Sequence, residues 1–174
     1  MAPRLRDRKL RLRAARAADL DVLLALEQAS FRSDHLSRRS FRRFVTSPLA
    51  ALIACEREGR ILGYALVLFR SGSPVARLYS IAVVPEAAGQ GIGTLLLAAA
   101  ERTARKRDCD RLRLEVQEHN AAALRRYRKS GYQQFGMHFD YYDDHGNALR
   151  FEKRLRSSST GSKDSASPRA SIAR

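Results

Sequence analysis

The sequence predicts a mixed α/β domain, a central sheet of mixed strand direction with helices on both faces. Two observations carry this. Segments of two-residue and of helical hydrophobic period alternate in the order β-α-α-β-β-β-α-β-α-β-β. One strand also runs through a glycine-rich turn, Gly89-Gln90-Gly91-Ile92-Gly93, directly into the longest helical pattern. The longest nearly apolar stretches, such as Ile61 to Phe69, are strand-sized. They fall well short of the roughly 20 apolar residues of a membrane-spanning helix.

Each element has a local reason. Lys9 to Arg13 alternates as a short strand. Ala17 to Ser30 carries Leu20, Leu23, Leu24 and Glu27 at helical spacing. Leu36 to Val45 places Leu36, Phe41, Phe44 and Val45 against Arg38, Arg39, Arg42 and Arg43, and Pro48 marks its end. Ala51 to Arg57 and Ile61 to Phe69 read as a hairpin about Glu58-Gly59. Ala76 to Val84 is a strand stopped by Pro85, and the helix after the glycine-rich turn extends to about Lys106. Arg111 to Gln117 alternates Leu112, Leu114 and Val116 with Arg113, Glu115 and Gln117. Asn120 is placed to cap a helix to about Lys129, which Gly131 ends. Tyr132 to Phe139 and Ala148 to Leu155 are the last strands.

Organisation follows from composition. The chain has 174 residues, 44% hydrophobic and 29% charged, enough for one domain that needs neither disulfide nor metal. We expect a basic arm over 1–8, a domain over 9–156 and a disordered Ser-rich tail over 157–174. The formal charge is +15, and 28 of the 33 basic residues are Arg. Such a surface attracts polyanions, including the ribosome, although an Arg bias is also a signature of genome composition. The Arg38-Arg39, Arg42-Arg43 and Arg125-Arg126, Arg128-Lys129 clusters are most simply solvated helix faces, or else sites that hold a ligand phosphate or dock on a ribosome. Cys55 and Cys109 form no CxxC, and the four histidines have no ligand spacing, so we expect a reduced, cytoplasmic protein with no metal.

Strand, glycine-rich turn and helix together make a phosphate-facing architecture. The backbone can approach an anion closely, and the helix start turns its N–H groups towards it. This turn is not a P-loop, because no Gly-Lys-Ser/Thr follows, and its G-x-G-x-G spacing departs from a dinucleotide fingerprint.

The wider run Leu78-Tyr79-Ser80-Ile81-Ala82-Val83-Val84-Pro85, then Gly89 to Leu96, resembles the acetyl-CoA motif of the GNAT N-acetyltransferases. Leu114-Glu115-Val116, Asn120 to Leu124, Tyr127 and Gly131-Tyr132 resemble the second core motif. Within that superfamily, the Tyr141-Tyr142-Asp143-Asp144 segment makes the chain similar to the ribosomal-protein-alanine N-acetyltransferase group. There are departures. Ala88 stands where the family usually has Arg or Gln, and Phe31-Arg32-Ser33-Asp34-His35 lacks a common Pro-Trp pair.

The resemblance implies a mostly antiparallel sheet and direct acetyl transfer from acetyl-CoA to a primary amine, foremost a protein N-terminal α-amino group. The other acceptors open at this point are a lysine side chain or a small amine. A non-catalytic ribosome- or RNA-binding role is a further alternative. By the same resemblance, backbone groups of Ile81, Ala82 and Val83 hold the pantetheine arm and polarise the thioester carbonyl. Gln90, Gly91, Gly93 and Thr94 cradle the pyrophosphate, and Asn120 meets the cofactor arm. Glu115 is the candidate general base, or else an ion-pair partner of Arg113 or another Arg on its strand face. Tyr127 is the candidate acid for the departing thiolate, or else a ring packed on the sheet. Phe31, Tyr141 and Tyr142 are candidates to line the acceptor site.

Overall fold

A computed structural model describes residues 9–155, so the expectations for 1–8 and 157–174 lie outside the described residues. The strands are β1 (Arg11–Ala14), β2 (Ala50–Arg57), β3 (Arg60–Leu68), β4 (Val75–Val83), β5 (Arg111–Gln117), β6 (Gln133–His138) and β7 (Ala148–Arg154). The helices are α1 (Leu20–Ser30), α2 (Arg38–Thr46), α3 (Ile92–Lys106) and α4 (Ala121–Lys129). The seven strands form one sheet in the order β1-β2-β3-β4-β5-β7-β6. Only β4 and β5 pair in parallel; every other neighbouring pair is antiparallel.

Local chemistry moves several boundaries. The segment before α1 is a short 3₁₀ turn, Ala17–Asp19, so the α-helix proper begins at Leu20. Helix α2 starts at Arg38, because the Ser37 hydroxyl accepts the Ser40 N–H at 3.1 Å and fixes Ser37 as its cap. Asn120 caps α4 by accepting the Ala123 N–H at 3.1 Å. Tyr132 belongs to the core and not to β6. It is 3% exposed, and its hydroxyl donates to the buried Glu101 at 3.1 Å.

Two cores flank the sheet. Ile92, Leu96 and Ala100 of α3 pack with Leu112, Leu114 and Val116 of β5 on one face. Leu23 and Leu26 of α1 and Phe41 of α2 pack with Tyr64, Leu66 and Ala82 on the other. The Phe41 and Tyr64 rings meet edge to face at 5.5 Å. The alternation of β5 therefore sends Glu115 to the face opposite α3.

The parallel pair is short. It runs from Val75↔Arg111 to Leu78↔Leu114 and then stops, although both strands continue. The cause lies on the other side of β4. There Leu66 pairs with Ser80 and Val67 with Leu78, which leaves Tyr79 as an extra, bulged residue. A bulge bends its strand and increases local twist. Beyond it, Ser80 to Val83 stay on β3 and part from Glu115 to Gln117.

Candidate active site

The parting of β4 from β5 opens a cleft of about 1290 Å³. It lies past the carboxyl ends of two parallel strands, where α/β sheets hold ligands. A smaller cleft of about 420 Å³, between α2, α3 and β2, contains none of the predicted site residues.

One end of the large cleft is built for an anion. Gly89 and Gly91 adopt φ of +75° and +79°, a left-handed backbone that suits glycine. They turn the chain so that α3 begins at Ile92 with no side chain capping it and no acid in its first turn. The first N–H groups of a helix have no intrahelical partners and carry its positive dipole end. The Arg126 guanidinium from α4 lies over Gly93, its Cζ 2.6 Å from where a Cβ would sit. Gly89, Gly91, Gly93, Thr94 and Arg126 all line the cleft. Gln90 does not. Its amide oxygen accepts from Arg57 at 3.2 Å, and its amide nitrogen faces the Glu86 carbonyl at 3.4 Å. The Gln90 side chain is therefore turned away from the cleft, while the loop backbone on either side of it and the Arg126 guanidinium border the helix start.

The middle of the cleft brings together the candidate catalytic residues. Ile81, Ala82 and Val83 line it from β4, Glu115 from β5, and Asn120 and Tyr127 from α4. The Asn120 side-chain oxygen is engaged as the helix cap. Tyr127 is 4% exposed and packs edge to face on Tyr132 at 5.8 Å. Burial pushes its phenol up to about 12, with Arg126 opposing.

Glu115 is ion-paired, but not with Arg113. Its Oε2 accepts from Arg77 Nε of β4 at 2.9 Å, and its Oε1 lies 3.8 Å from Arg150 Nε of β7. Arg113 is held instead by Glu152 at 2.9 Å. Arg77 also donates to the Tyr141 hydroxyl at 2.8 Å.

At the other end, Phe31, Tyr141 and Tyr142 line the mouth from the α1–α2 and β6–β7 connections. Tyr141 stacks on His138 at 5.3 Å and meets Tyr142 edge to face at 5.0 Å. Burial raises the Tyr142 phenol. Arg77, Glu27 and Ser80 also line this cleft, and sequence reasoning gave none of them a role; Arg126, part of a basic cluster that the sequence offers as a solvated face or a docking point, lines it too. For Arg126 the signal was present, an Arg one residue before Tyr127 on a helix that follows the glycine-rich turn. For Glu27 the signal was a carboxylate on the apolar face of α1.

No group of three or more His, Cys, Asp or Glu that could hold a metal occurs among the described residues. No helix there is long and apolar enough to cross a membrane.

Comparison with known proteins agrees with this geometry. The family model described as "Acetyltransferase (GNAT) family" matches residues 20–132. A Bacillus subtilis (strain 168) protein, provisionally named as a ribosomal protein bS18-alanine N-acetyltransferase, is 30% identical over 138 residues, 79% of this chain and 90% of that one. A mycothiol acetyltransferase of Salinispora arenicola is 33% identical over 147 residues, 75% of this chain and 47% of that one. In structure, the ribosomal-protein-S18-alanine N-acetyltransferase from Escherichia coli superposes with a TM-score of 0.77 at 22% identity, over 90% of this chain and 100% of that one. The NatC complex bound to Gag peptide and CoA gives a TM-score of 0.73 at 21% identity, over 85% and 99% of the two chains. The chain belongs to the acetyltransferase (GNAT) family and is an N-acetyltransferase.

Proposed function

We propose that this enzyme transfers the acetyl group of acetyl-CoA directly to the α-amino group of a protein N-terminus, a ribosomal-protein-like substrate in the cytoplasm. The observation that carries the reading is the single cleft at the β4–β5 parting. It has an anion-facing helix start at one end, Glu115 and Tyr127 in the middle and an aromatic mouth at the other. The named activity of the Bacillus subtilis relative supports the acceptor.

Acetyl-CoA supplies an activated acetyl thioester and two phosphate-rich groups. The N–H groups at the start of α3 and the Arg126 guanidinium would hold its pyrophosphate. Backbone N–H and C=O groups of Ile81 to Val83, freed by the bulge from pairing with β5, would hold the pantetheine arm by strand-like hydrogen bonds. A backbone N–H there polarises the acyl carbonyl. Glu115 places a carboxylate beside the incoming amine. Tyr127, a protonated phenol, donates its proton to the departing thiolate. Phe31, Tyr141 and Tyr142 border the acceptor.

The Arg126 assignment has a direct consequence. Arg126→Ala is expected to weaken CoA binding about tenfold, the scale of one charge-assisted hydrogen bond. It should also flatten the salt dependence of binding. Titration calorimetry at two ionic strengths checks both, and unchanged affinity removes Arg126 from the phosphate site.

The acceptor is tested by CoA release with three sets of amines. One has peptides with free Ala or Ser N-termini and no Lys; one has blocked peptides with a single Lys; the third has polyamines. Activity confined to free N-termini is the expected result. Activity on Lys or polyamines alone replaces the acceptor but keeps the chemistry. Salt-sensitive RNA binding without CoA binding would overturn the enzyme reading.

A further inference from the structure

A buried carboxylate that the roles above do not use lies under the acceptor end of the cleft. Glu27 of α1 is 2% exposed, and among the described residues it has no Arg or Lys partner. Burying a carboxylate without a counter-ion is costly and requires hydrogen bonds to every face of it. Glu27 has two. Its Oε1 accepts the Leu36 N–H at 2.9 Å, and its Oε2 accepts the Tyr64 hydroxyl. The first bond ties α1 to the segment leading into α2. The second starts a chain, because the Tyr64 hydroxyl also contacts Ser80 Oγ at 2.9 Å.

The direction of that chain follows from proton counting. The Tyr64 hydroxyl donates to Glu27, so its single proton is committed there. The Tyr64 oxygen must then accept from Ser80, whose one proton is committed in turn. Ser80 Oγ is left with its lone pairs, and Ser80 lines the cleft immediately before Ile81. It therefore presents an acceptor oxygen, suited to an N–H. It stands on the same face of the sheet as Glu115, across the β4–β5 parting.

We propose that Ser80, Tyr64 and Glu27 form a proton relay that deprotonates the acceptor ammonium, with Ser80 the residue that touches the amine. The inference rests on the acetyl-transfer reading above. The ammonium N–H⁺ passes its proton to Ser80 Oγ, the Ser80 proton moves to Tyr64 Oη, and the Tyr64 proton moves to Glu27 Oε2. The amine lone pair so freed forms the C–N bond as the thioester C–S bond breaks. The second amine proton ends on the thiolate through Tyr127, and Glu27 returns the first to solvent. Overall, ammonium and acetyl thioester give amide, thiol and one proton. Glu115, the other carboxylate at this point, already has one oxygen bonded to Arg77 and the other facing Arg150. Burial and the neighbouring carboxylate both push the Tyr64 phenol up, so it passes protons without standing as a phenolate. Besides Glu27, the titratable groups lining the cleft into which Ser80 opens are Arg32 and Asp34 of the α1–α2 connection, Arg77 and Tyr79 of β4, Glu115 of β5, His119 ahead of α4, Arg126 and Tyr127 of α4, and Tyr141, Tyr142 and Asp144 of the β6–β7 connection. Of these, Arg77 donates both to Glu115 and to the Tyr141 hydroxyl.

The test is the pH profile of kcat/KM for an Ala-N-terminal peptide at saturating acetyl-CoA, in Ser80→Ala, Ser80→Thr and Tyr64→Phe. An α-amino group titrates near pH 8, so above about pH 9.5 it arrives already unprotonated. Ser80→Ala and Tyr64→Phe should lose about tenfold to a hundredfold at pH 7. That loss should shrink to about twofold at pH 9.5, with CoA affinity unchanged. Ser80→Thr keeps the hydroxyl and should exceed Ser80→Ala at pH 7. Tyr64→Phe keeps the ring that meets Phe41 edge to face. Equal losses at both pH values mean a structural role only and overturn the relay. So does the absence of any loss at pH 7, or a Ser80→Thr no better than Ser80→Ala. A wild-type protein inactive on every amine defeats the acetyl-transfer reading and the relay with it, whereas an active wild type with pH-independent variants defeats the relay alone.

Discussion

Tyr127→Phe is expected to lower kcat by about a hundredfold or more, the usual scale for loss of a positioned general acid. CoA affinity should barely change. The substitution deletes one oxygen and leaves the ring, which is 4% exposed and packed on Tyr132 at 5.8 Å, so the melting temperature should stay close to that of the wild type. The Tyr127 hydroxyl has no hydrogen bond among the described residues, and desolvation is the largest cause of its shift, so a rate loss would not run through a broken structural bond. The pH dependence carries a sign. Burial raises this phenol to about 12, so the neutral, proton-donating form persists at all pH values below that. Wild-type kcat should therefore show no alkaline fall between about pH 8 and pH 10.5 from this group. An unperturbed tyrosine would begin to fail near pH 10. Stopped-flow or steady-state kcat across that range, with CoA titration in parallel, decides the point. An unchanged kcat in Tyr127→Phe removes it as the acid and leaves the ring as a packing element.

What could be read from the sequence was whatever is local. Strand β5 has the predicted bounds, because strict alternation from Leu112 to Val116 can satisfy a sheet in only one way. The glycine-rich turn announced the start of α3, because Gly89 and Gly91 are needed there for their positive φ. The Asn120 cap was equally plain, since the side chain bonds three residues ahead. What was hidden depends on register between strands. Glu115 was weighed against Arg113 because both lie on one strand face, but the partners that bind it come from β4 and β7, 38 and 35 positions away. The bulge at Tyr79 opens the cleft, yet nothing in Leu78-Tyr79-Ser80 marks which residue drops out of the ladder. The chain from Glu27 to Ser80 crosses α1, β3 and β4, and its members look locally like a helix position, a buried aromatic and a strand serine. Arg126 lies in a basic run that the sequence leaves open between a solvated face and a docking point, and only the packing of α4 against α3 places its guanidinium over Gly93.

Gly63→Ala should damage the fold and the site together, because it sits where one supports the other. Gly63 of β3 pairs with Val83 of β4 and faces the first turns of α3. A Cβ there would lie 2.7 Å from the Ala82 carbonyl oxygen, 3.0 Å from Leu96 Cδ1 and 3.4 Å from Ile92 Cγ2. Leu96 can rotate away, but the Ala82 oxygen is backbone, and moving it moves Ile81 to Val83. Overpacking of this kind costs roughly 1–3 kcal/mol, which for a chain of this size corresponds to a fall in melting temperature of about 3–10 °C. The expected functional loss is larger than that destabilisation alone explains. The added methyl group pushes apart the two walls assigned to acetyl-CoA, the β4 arm and the start of α3, so CoA should bind about tenfold more weakly and kcat/KM should fall at least as far. Leu52→Ala is the control. Leu52 is 5% exposed in the core on the α1–α2 face and does not line the cleft. Truncating it should cost about 2–5 kcal/mol through the cavity it leaves, with little change in CoA affinity of the folded protein. If Gly63→Ala lost stability but kept wild-type affinity, the Ile81 to Val83 backbone would not be the wall that holds the cofactor. If both variants lost affinity in proportion to their melting temperatures, the cleft would be responding to global stability and not to the close approach at Gly63.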